Sequence, residues 1–336
     1  MNIRTQSLSR RAVLSGLGAS VAAPAFAAAP MANVQVPAVY RFKLGGFECT
    51  VVSDGPIGLG AIKAEMFKGY TQERIDELLA ANFIDQNNFQ LDQNVLVVNT
   101  GEKLVLIDTG MGARKMFGPT SGRLLANLQA AGINPASIDA VALSHAHPDH
   151  CWGLVGEDGK PSFPNAQIYL SQADFDFWTD EGKLTHPALG GFVGPTRETL
   201  LPLRERLVFI KSGQDVAPGV QALATPGHTV GHTSFVISSQ DRTLINIADL
   251  GHQYVLVTEN PRAEFAFDTD PQQAISSRLR VFDMVASQKI PIIAYHFPWP
   301  GLGHLGKRGD GYRYVPSPMQ TVLSVSYTHL TLPTKA

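Results

Sequence analysis

Three histidines and an aspartate fall within one short run, Ser144-His145-Ala146-His147-Pro148-Asp149-His150. Imidazoles this crowded repel one another when protonated and are costly to bury when neutral, unless a cation holds them together. Neutral imidazole and carboxylate are ligands that suit zinc and related first-row ions. The run follows Ala140-Val141-Ala142-Leu143, which reads as a short buried strand. A strand end delivers side chains to a sheet edge, where a cleft can open.

One short motif cannot hold two ions, so the remaining ligands should come from other strand ends. His228 lies in Thr225-Pro226-Gly227-His228-Thr229, just past the apolar run Val220 to Leu223. Asp249 follows Leu244 to Ala248, and His296 follows Ile290 to Tyr295. Each is a metal-type residue just beyond an apolar strand, as in the first motif.

The elements that must position these residues alternate along the chain. Arg41 to Ser53 reads as one strand ending at Asp54-Gly55-Pro56. Thr71 to Asn82 has helical spacing, with Ile75, Leu78 and Leu79 on one face. Val95 to Val98 and Leu104 to Ile107 form a hairpin pattern, and Arg123 to Ala131 reads as a helix. Strands are expected at Gln167 to Leu170, Val220 to Leu223, Ser234 to Ile237, Thr243 to Ile247 and Ile290 to Ala294, with a helix over Gln272 to Val285. Strands in two groups with helices between them predict an α/β (α+β) fold in which sheet packs on sheet under helical covers.

His145-x-His147-x-Asp149-His150, then His228, Asp249 and His296, resembles the full ligand set of the metallo-β-lactamase superfamily, and Leu106-Ile107-Asp108-Thr109-Gly110 is similar to the strand and turn that precede it there. The resemblance runs from Tyr40 to Pro316. It is nearest to phosphotriesterases of the methyl parathion hydrolase kind, through Ser53-Asp54-Gly55, Phe117-Gly118-Pro119-Thr120, Pro300-Gly301-Leu302-Gly303-His304 and Gly311-Tyr312-Arg313-Tyr314-Val315-Pro316. N-acyl-homoserine lactonases come next.

The resemblance implies a four-layer αββα sandwich in a single domain over residues 28–324. It implies that His145, His147 and His228 hold one divalent ion, that Asp149, His150 and His296 hold another, and that Asp249 bridges them. Zinc is the expected metal, with manganese, iron and cobalt also compatible. The nucleophile would be a metal-bridging hydroxide, and Asp108 would orient a ligand by hydrogen bonding. Phe117, Trp178 and Phe192 would wall a pocket for a small-molecule ester, either a phosphotriester or a lactone. The ligand set also leaves open iron-dependent oxygen or sulfur chemistry, or a metal-binding module without catalysis. The second ion's aspartate and histidine ligands, where the best-known zinc β-lactamases use cysteine, argue against β-lactam hydrolysis. His232 and His186 read as ordinary structural histidines, His252 and His304 are loose histidines near the site, with structural hydrogen bonding an equal explanation for His304, and Phe297 and Trp299, which flank His296, are pocket or packing residues.

The 336-residue chain has a formal net charge of −2. Nucleic-acid binders usually carry a basic balance, so no nucleic-acid partner is expected. The chain opens on Ser9-Arg10-Arg11, an apolar run Ala12 to Ala23, and Ala25-Phe26-Ala27. That pattern predicts a twin-arginine signal over residues 1–27, cleavage after Ala27, and an exported protein, periplasmic or secreted, without a membrane anchor. Removing Arg4, Arg10 and Arg11, with no acid beside them, makes the mature chain more acidic. Residues 325–336 read as a non-native, adapter-derived tail. Cys49 and Cys151 lack metal-ligand spacing and read as small buried residues. The segment from Gly58 to Phe89 is expected to serve as a lid or as the interface of a homodimer.

Overall fold

The computed structural model describes Ala29 and residues 31–323. The expected signal over 1–27 and the expected tail over 325–336 lie outside the described residues. Every element below belongs to the unit Pro37–Ala336.

The first part of the chain builds a seven-stranded sheet in chain order: β1 (Val39–Leu44), β2 (Phe47–Ser53), β3 (Asn94–Asn99), β4 (Leu104–Ile107), β5 (Ala140–Ala142), β6 (Gln167–Ser171) and β7 (Leu207–Ile210). The second part repeats this with β8 (Asp215–Ala217), β9 (Val220–Ala224), β10 (Thr233–Ser239), β11 (Arg242–Ala248), β12 (Ile292–Ala294), β13 (Leu302–Arg308) and β14 (Gly311–Pro316). The helices are α1 (Gln72–Ala81), α2 (Leu124–Ala130), α3 (Pro148–Cys151), α4 (Gln172–Thr179), α5 (Gly190–Leu200), α6 (Tyr254–Glu259) and α7 (Pro271–Gln288). Among the described residues no helix is long and apolar enough to cross a membrane.

Successive strand residues face opposite sides, and this sorts them into layers. Leu96, Val98, Val105, Ile107, Ala140 and Ala142 share one core with Phe235, Ile237 and Leu244 of the other sheet, between the two sheets. Their neighbours Val95, Val97, Leu106 and Val141 face outward and pack with Ile75, Leu79, Leu128 and Trp178 of α1, α2 and α4. On the far side Ile245, Ile247 and Ile292 pack under Val281, Phe282 and Val285 of α7. The result is the expected helix–sheet–sheet–helix sandwich.

The run Arg41 to Ser53, expected as one strand, is instead the hairpin β1–β2, with Leu44 paired to Phe47 around Gly45-Gly46. Gly45 adopts φ 56, and a Cβ there would lie 2.3 Å from the Ser239 carbonyl oxygen. The pair supplies the two-residue turn that reverses the chain.

Strand direction decides where the site forms. β4 runs parallel to β5, and β11 runs parallel to β12. Parallel neighbours end at the same sheet edge, where open α/β sheets bind ligands. Asp108 follows β4, the histidine run follows β5, Asp249 follows β11 and His296 follows β12 closely. Asp108 and Ala248 adopt left-handed backbone, φ 64 and φ 43. Non-glycine residues held there cost about 1–3 kcal/mol each and cluster at functional sites.

Candidate metal centre

The seven expected ligands converge from four stretches of chain. His145, His147 and His228 bring ligand atoms together in one group, and Asp149, His150 and His296 do so in a second. Asp249 lies between the two. Its Oδ2 is 3.3 Å from His150 Nε2, 3.3 Å from His228 Nε2, 3.2 Å from His296 Nε2 and 3.8 Å from His145 Nε2. His228 Nε2 lies 2.9 Å from His147 Nδ1. Asp149 Oδ2 is 3.5 Å from His150 Nε2 and 3.3 Å from His296 Nε2.

The outer edges of four rings are held in place. Carboxylate and carbonyl oxygens only accept, so the ring N–H must donate. His150 Nδ1 donates to Asp108 Oδ2 at 2.9 Å, His228 Nδ1 to Asp268 Oδ1 at 2.9 Å, and His296 Nδ1 to the Asp92 carbonyl at 2.8 Å. Ser144 Oγ donates to Asp108 Oδ2 at 2.8 Å, which leaves it to accept from His145 Nδ1 at 2.9 Å. Each bond fixes the tautomer whose Nε2 lone pair faces the centre. Asp108 thus orients His150 directly and His145 through Ser144.

Among the described residues, the buried atoms without a hydrogen-bond partner include His145 Nε2, His150 Nε2 and Asp249 Oδ1. Buried polar atoms are nearly always satisfied. Here three orphans belong to one inward-facing ligand set of nitrogen and oxygen. This donor set fits a pair of divalent ions, with the carboxylate of Asp249 shared.

The electrostatics fit the same arrangement. Burial, with neighbouring histidines adding to it, holds His145 and His147 well below the usual imidazole range. Burial alone would raise Asp249, but His150 and His296 hold it far below the usual carboxylate range. Against the pull of burial, Asp249 raises His296 to about 10, and Asp249 with Asp268 raises His228 to about 9.

Several supports were not visible as such in the sequence. His252, expected only as a loose histidine near the site, donates from Nε2 to Asp249 Oδ2 at 3.2 Å and lines the cleft. His232, expected as structural, accepts the Asp249 N–H on Nε2 at 3.1 Å. Asp174, at the start of α4, accepts from Ala146 N at 2.7 Å and Gly231 N at 2.8 Å. It thereby staples the loop of His145 and His147 to the loop of His228. Gly227 has φ 132, and a Cβ there would lie 2.0 Å from Ala274 N, so glycine lets the His228 loop press on the first turn of α7. His186 and His304 lie elsewhere. His186 accepts backbone hydrogen bonds in its own loop, and His304 Nδ1 is 3.4 Å from Ser317 Oγ.

The cleft over the centre is apolar. Ile57, Leu59, Leu91, Phe117, Phe192, Phe265 and Phe267 line it beside His147, Asp149, Asp249 and His296. Phe117 and Phe192, expected as pocket walls, both line this cleft, their rings 6.5 Å apart. Trp178 does not. It is 1% exposed, lies in the core, and packs its ring edge-on to His147 at 4.9 Å. It supports a ligand from behind because α4 packs on β6 and α5. Phe297 is core, and Trp299 packs against the core between the sheets. The segment Gly58 to Phe89 contributes Leu59 to the cleft wall and Ile75, Leu78 and Leu79 to the helical cover. Cys49 and Cys151 are both free and buried.

Comparisons with known proteins agree with this picture. The family model described as "Metallo-beta-lactamase superfamily" matches residues 89–295. An N-acyl homoserine lactonase of Bacillus thuringiensis is 26% identical over 218 residues, covering 59% of this chain and 78% of that protein. Among solved structures, AidC, a dizinc quorum-quenching lactonase in complex with the product N-hexnoyl-L-homoserine, superposes with a TM-score of 0.79 at 31% identity. It covers 85% of this chain and 100% of its own. The hydrolase AbOPH of the beta lactamase superfamily gives a TM-score of 0.78 at 30% identity, with the same coverage.

Proposed function

The chain belongs to the metallo-β-lactamase superfamily, and from that premise we propose that it is a two-metal hydrolase of neutral esters, with lactones as the first substrate class and aryl phosphotriesters as the second. The observation that carries this reading is the set of inward-facing orphans, His145 Nε2, His150 Nε2 and Asp249 Oδ1, inside a complete seven-residue ligand set. Two bound ions would supply Lewis acidity and, at neutral pH, a hydroxide nucleophile. Zinc suits the nitrogen and oxygen donors, and zinc is the metal named for AidC.

The chain's own residues then account for selectivity. Asp249 ties the two ligand groups together, and His252 holds its Oδ2 from the cleft side. Phe117, Phe192, Phe265 and Phe267 exclude water and take up an acyl chain or an aryl group. Among the described residues lining the cleft there is no lysine or arginine. Beyond the ions themselves, an anionic substituent such as the carboxylate of a β-lactam would therefore need a cationic side chain that the cleft lacks. A neutral lactone or phosphotriester would not. The lactone reading draws on the lactonases among the relatives, and the phosphotriester reading draws on the aromatic wall. Export through the Ser9-Arg10-Arg11 leader belongs to the same proposal.

The test is hydrolysis of N-acyl homoserine lactones and of a p-nitrophenyl dialkyl phosphate by the zinc-loaded full chain. His147→Ala serves as the control. Lactone opening that the substitution abolishes supports the reading. A folded, zinc-replete protein that opens neither substrate class refutes it.

A further inference from the structure

The ridge Leu250 to Asp270 carries more of the site than any other segment outside the histidine run. It holds His252 and Phe265 of the cleft wall, Phe267 beside them, and Asp268, which fixes His228. Little regular structure stabilises it apart from α6 and a two-residue strand, Glu264–Phe265. Something else must hold it in one shape.

That role falls to a buried cation. Arg278 sits on the inner face of α7 at 2% exposure. Its Nε donates to the Leu250 carbonyl at 2.6 Å, one residue beyond Asp249. Its Nη1 donates to the carbonyls of Pro261 at 3.0 Å and Ala263 at 2.8 Å. Its Nη2 faces Asp268 Oδ2 at 3.6 Å, and the other oxygen of that carboxylate accepts from His228 Nδ1. One rigid guanidinium therefore spans the start, the middle and the end of the ridge. The planar fork of five N–H donors suits this, and a lysine ammonium has neither the reach nor the donor count.

We propose that Arg278 is the positioning residue of this centre: through Asp268 it sets the ring of His228, and through the Leu250 carbonyl it sets Asp249. The inference rests on the two-metal reading above. Without Arg278, Asp268 would be a buried carboxylate with His228 as its main charged partner. It would then draw the imidazole out of line, and Nε2 would face the centre less squarely. Without the Leu250 bond, the backbone just after Asp249 would lose its tether to α7.

The test uses the full chain in three variants. Arg278→Met removes the charge and all donors but keeps the packing of the stem. Arg278→Lys keeps the charge alone. Asp268→Asn leaves the three carbonyl bonds intact and removes the negative charge beside His228. Zinc affinities are read by competition with a fluorescent chelator after metal stripping, alongside thermal melting of the stripped proteins and the ¹⁵N imidazole signals of His228. Removing a group that orients a ligand typically weakens metal binding ten- to a hundredfold. Arg278→Met and Asp268→Asn should each lower the affinity of one ion by that factor, with a changed His228 signal. Arg278→Lys should recover part of the loss. The loss in Arg278→Met combined with Asp268→Asn should fall short of the product of the separate losses. If Arg278→Met does not fold, Arg278→Lys and Asp268→Asn carry the test. Parent affinity for both ions in those two variants overturns the proposal. A parent protein that binds no zinc overturns the two-metal reading instead.

Discussion

Asp108→Asn changes one atom in the heart of the support network, and its effect can be worked from the distances. The Asp108 carboxylate accepts from Ser144 N at 2.7 Å on Oδ1, and from Ser144 Oγ at 2.8 Å and His150 Nδ1 at 2.9 Å on Oδ2. In the amide, one oxygen can keep the Ser144 N–H. The NH₂ group then takes the place of Oδ2, and it has only hydrogens to offer. His150 can answer by moving its own proton to Nε2, so that Nδ1 accepts. Nε2 is the atom that faces Asp149 and Asp249, and once protonated it cannot ligate an ion. The opposite amide rotamer leaves the buried Ser144 N–H facing another donor. Either outcome loses a charge-assisted hydrogen bond, about 1.5–3 kcal/mol. That corresponds to roughly ten- to a hundredfold in affinity for the ion on the His150 side. The side of His147 and His228 should be affected less, since Asp108 reaches it only through Ser144 and His145. The assay is stepwise zinc titration of the stripped protein against a competing chelator, with the His150 tautomer read by ¹⁵N NMR. Unchanged affinity for both ions together with an unchanged His150 tautomer would refute the reasoning.

Three further predictions follow from the same geometry. In the metal-free protein His296 is raised to about 10 and His228 to about 9, with Asp249 the main opponent of burial. An unfolded histidine titrates near ~6.5, so this stability is fully present below that pH and is lost as pH rises through 9 to 10. Chelator-stripped protein should melt at progressively lower temperature over that window, and zinc-loaded protein should not; a flat profile for the stripped protein would contradict the assignment. Burial pushes the Cys49 thiol up to about 12 and raises Cys151 as well. Thiol reagents at pH 8 should therefore label neither cysteine before unfolding and both afterwards, and rapid native labelling would contradict their burial. Replacing Arg10 and Arg11 by lysine should block export, and the exported chain should begin at Ala28 by N-terminal sequencing; another start would move the cleavage site.

The ligand set was legible because its chemistry is local. Three histidines and an aspartate within six residues have few structural explanations, and His228, Asp249 and His296 each follow an apolar strand. The two sheets were legible for a related reason, since each takes its strands in chain order. What the sequence hid is set by partners distant along the chain. Asp268, Asp174 and Arg278 look like surface or capping residues until folding brings them against His228, Ala146 and Leu250. His232 and His252 sit in stretches without a motif, and only the turn after β11 brings both onto Asp249. Trp178 was misplaced because an aromatic residue near a site fits equally well in front of the ligands or behind them, and helix orientation decides which. The Gly45-Gly46 turn escaped notice because apolar residues continue on both sides of it.

The central claim is that the seven residues hold two ions. The most direct measurement is the anomalous diffraction of the zinc-reconstituted protein, with metal content measured on the same preparation. The account predicts two zinc ions per chain, one on His145, His147 and His228, the other on Asp149, His150 and His296, with Asp249 between them. A folded protein whose anomalous maps show no ion at these residues, or only one ion with the second ligand group hydrogen-bonded internally, would contradict it.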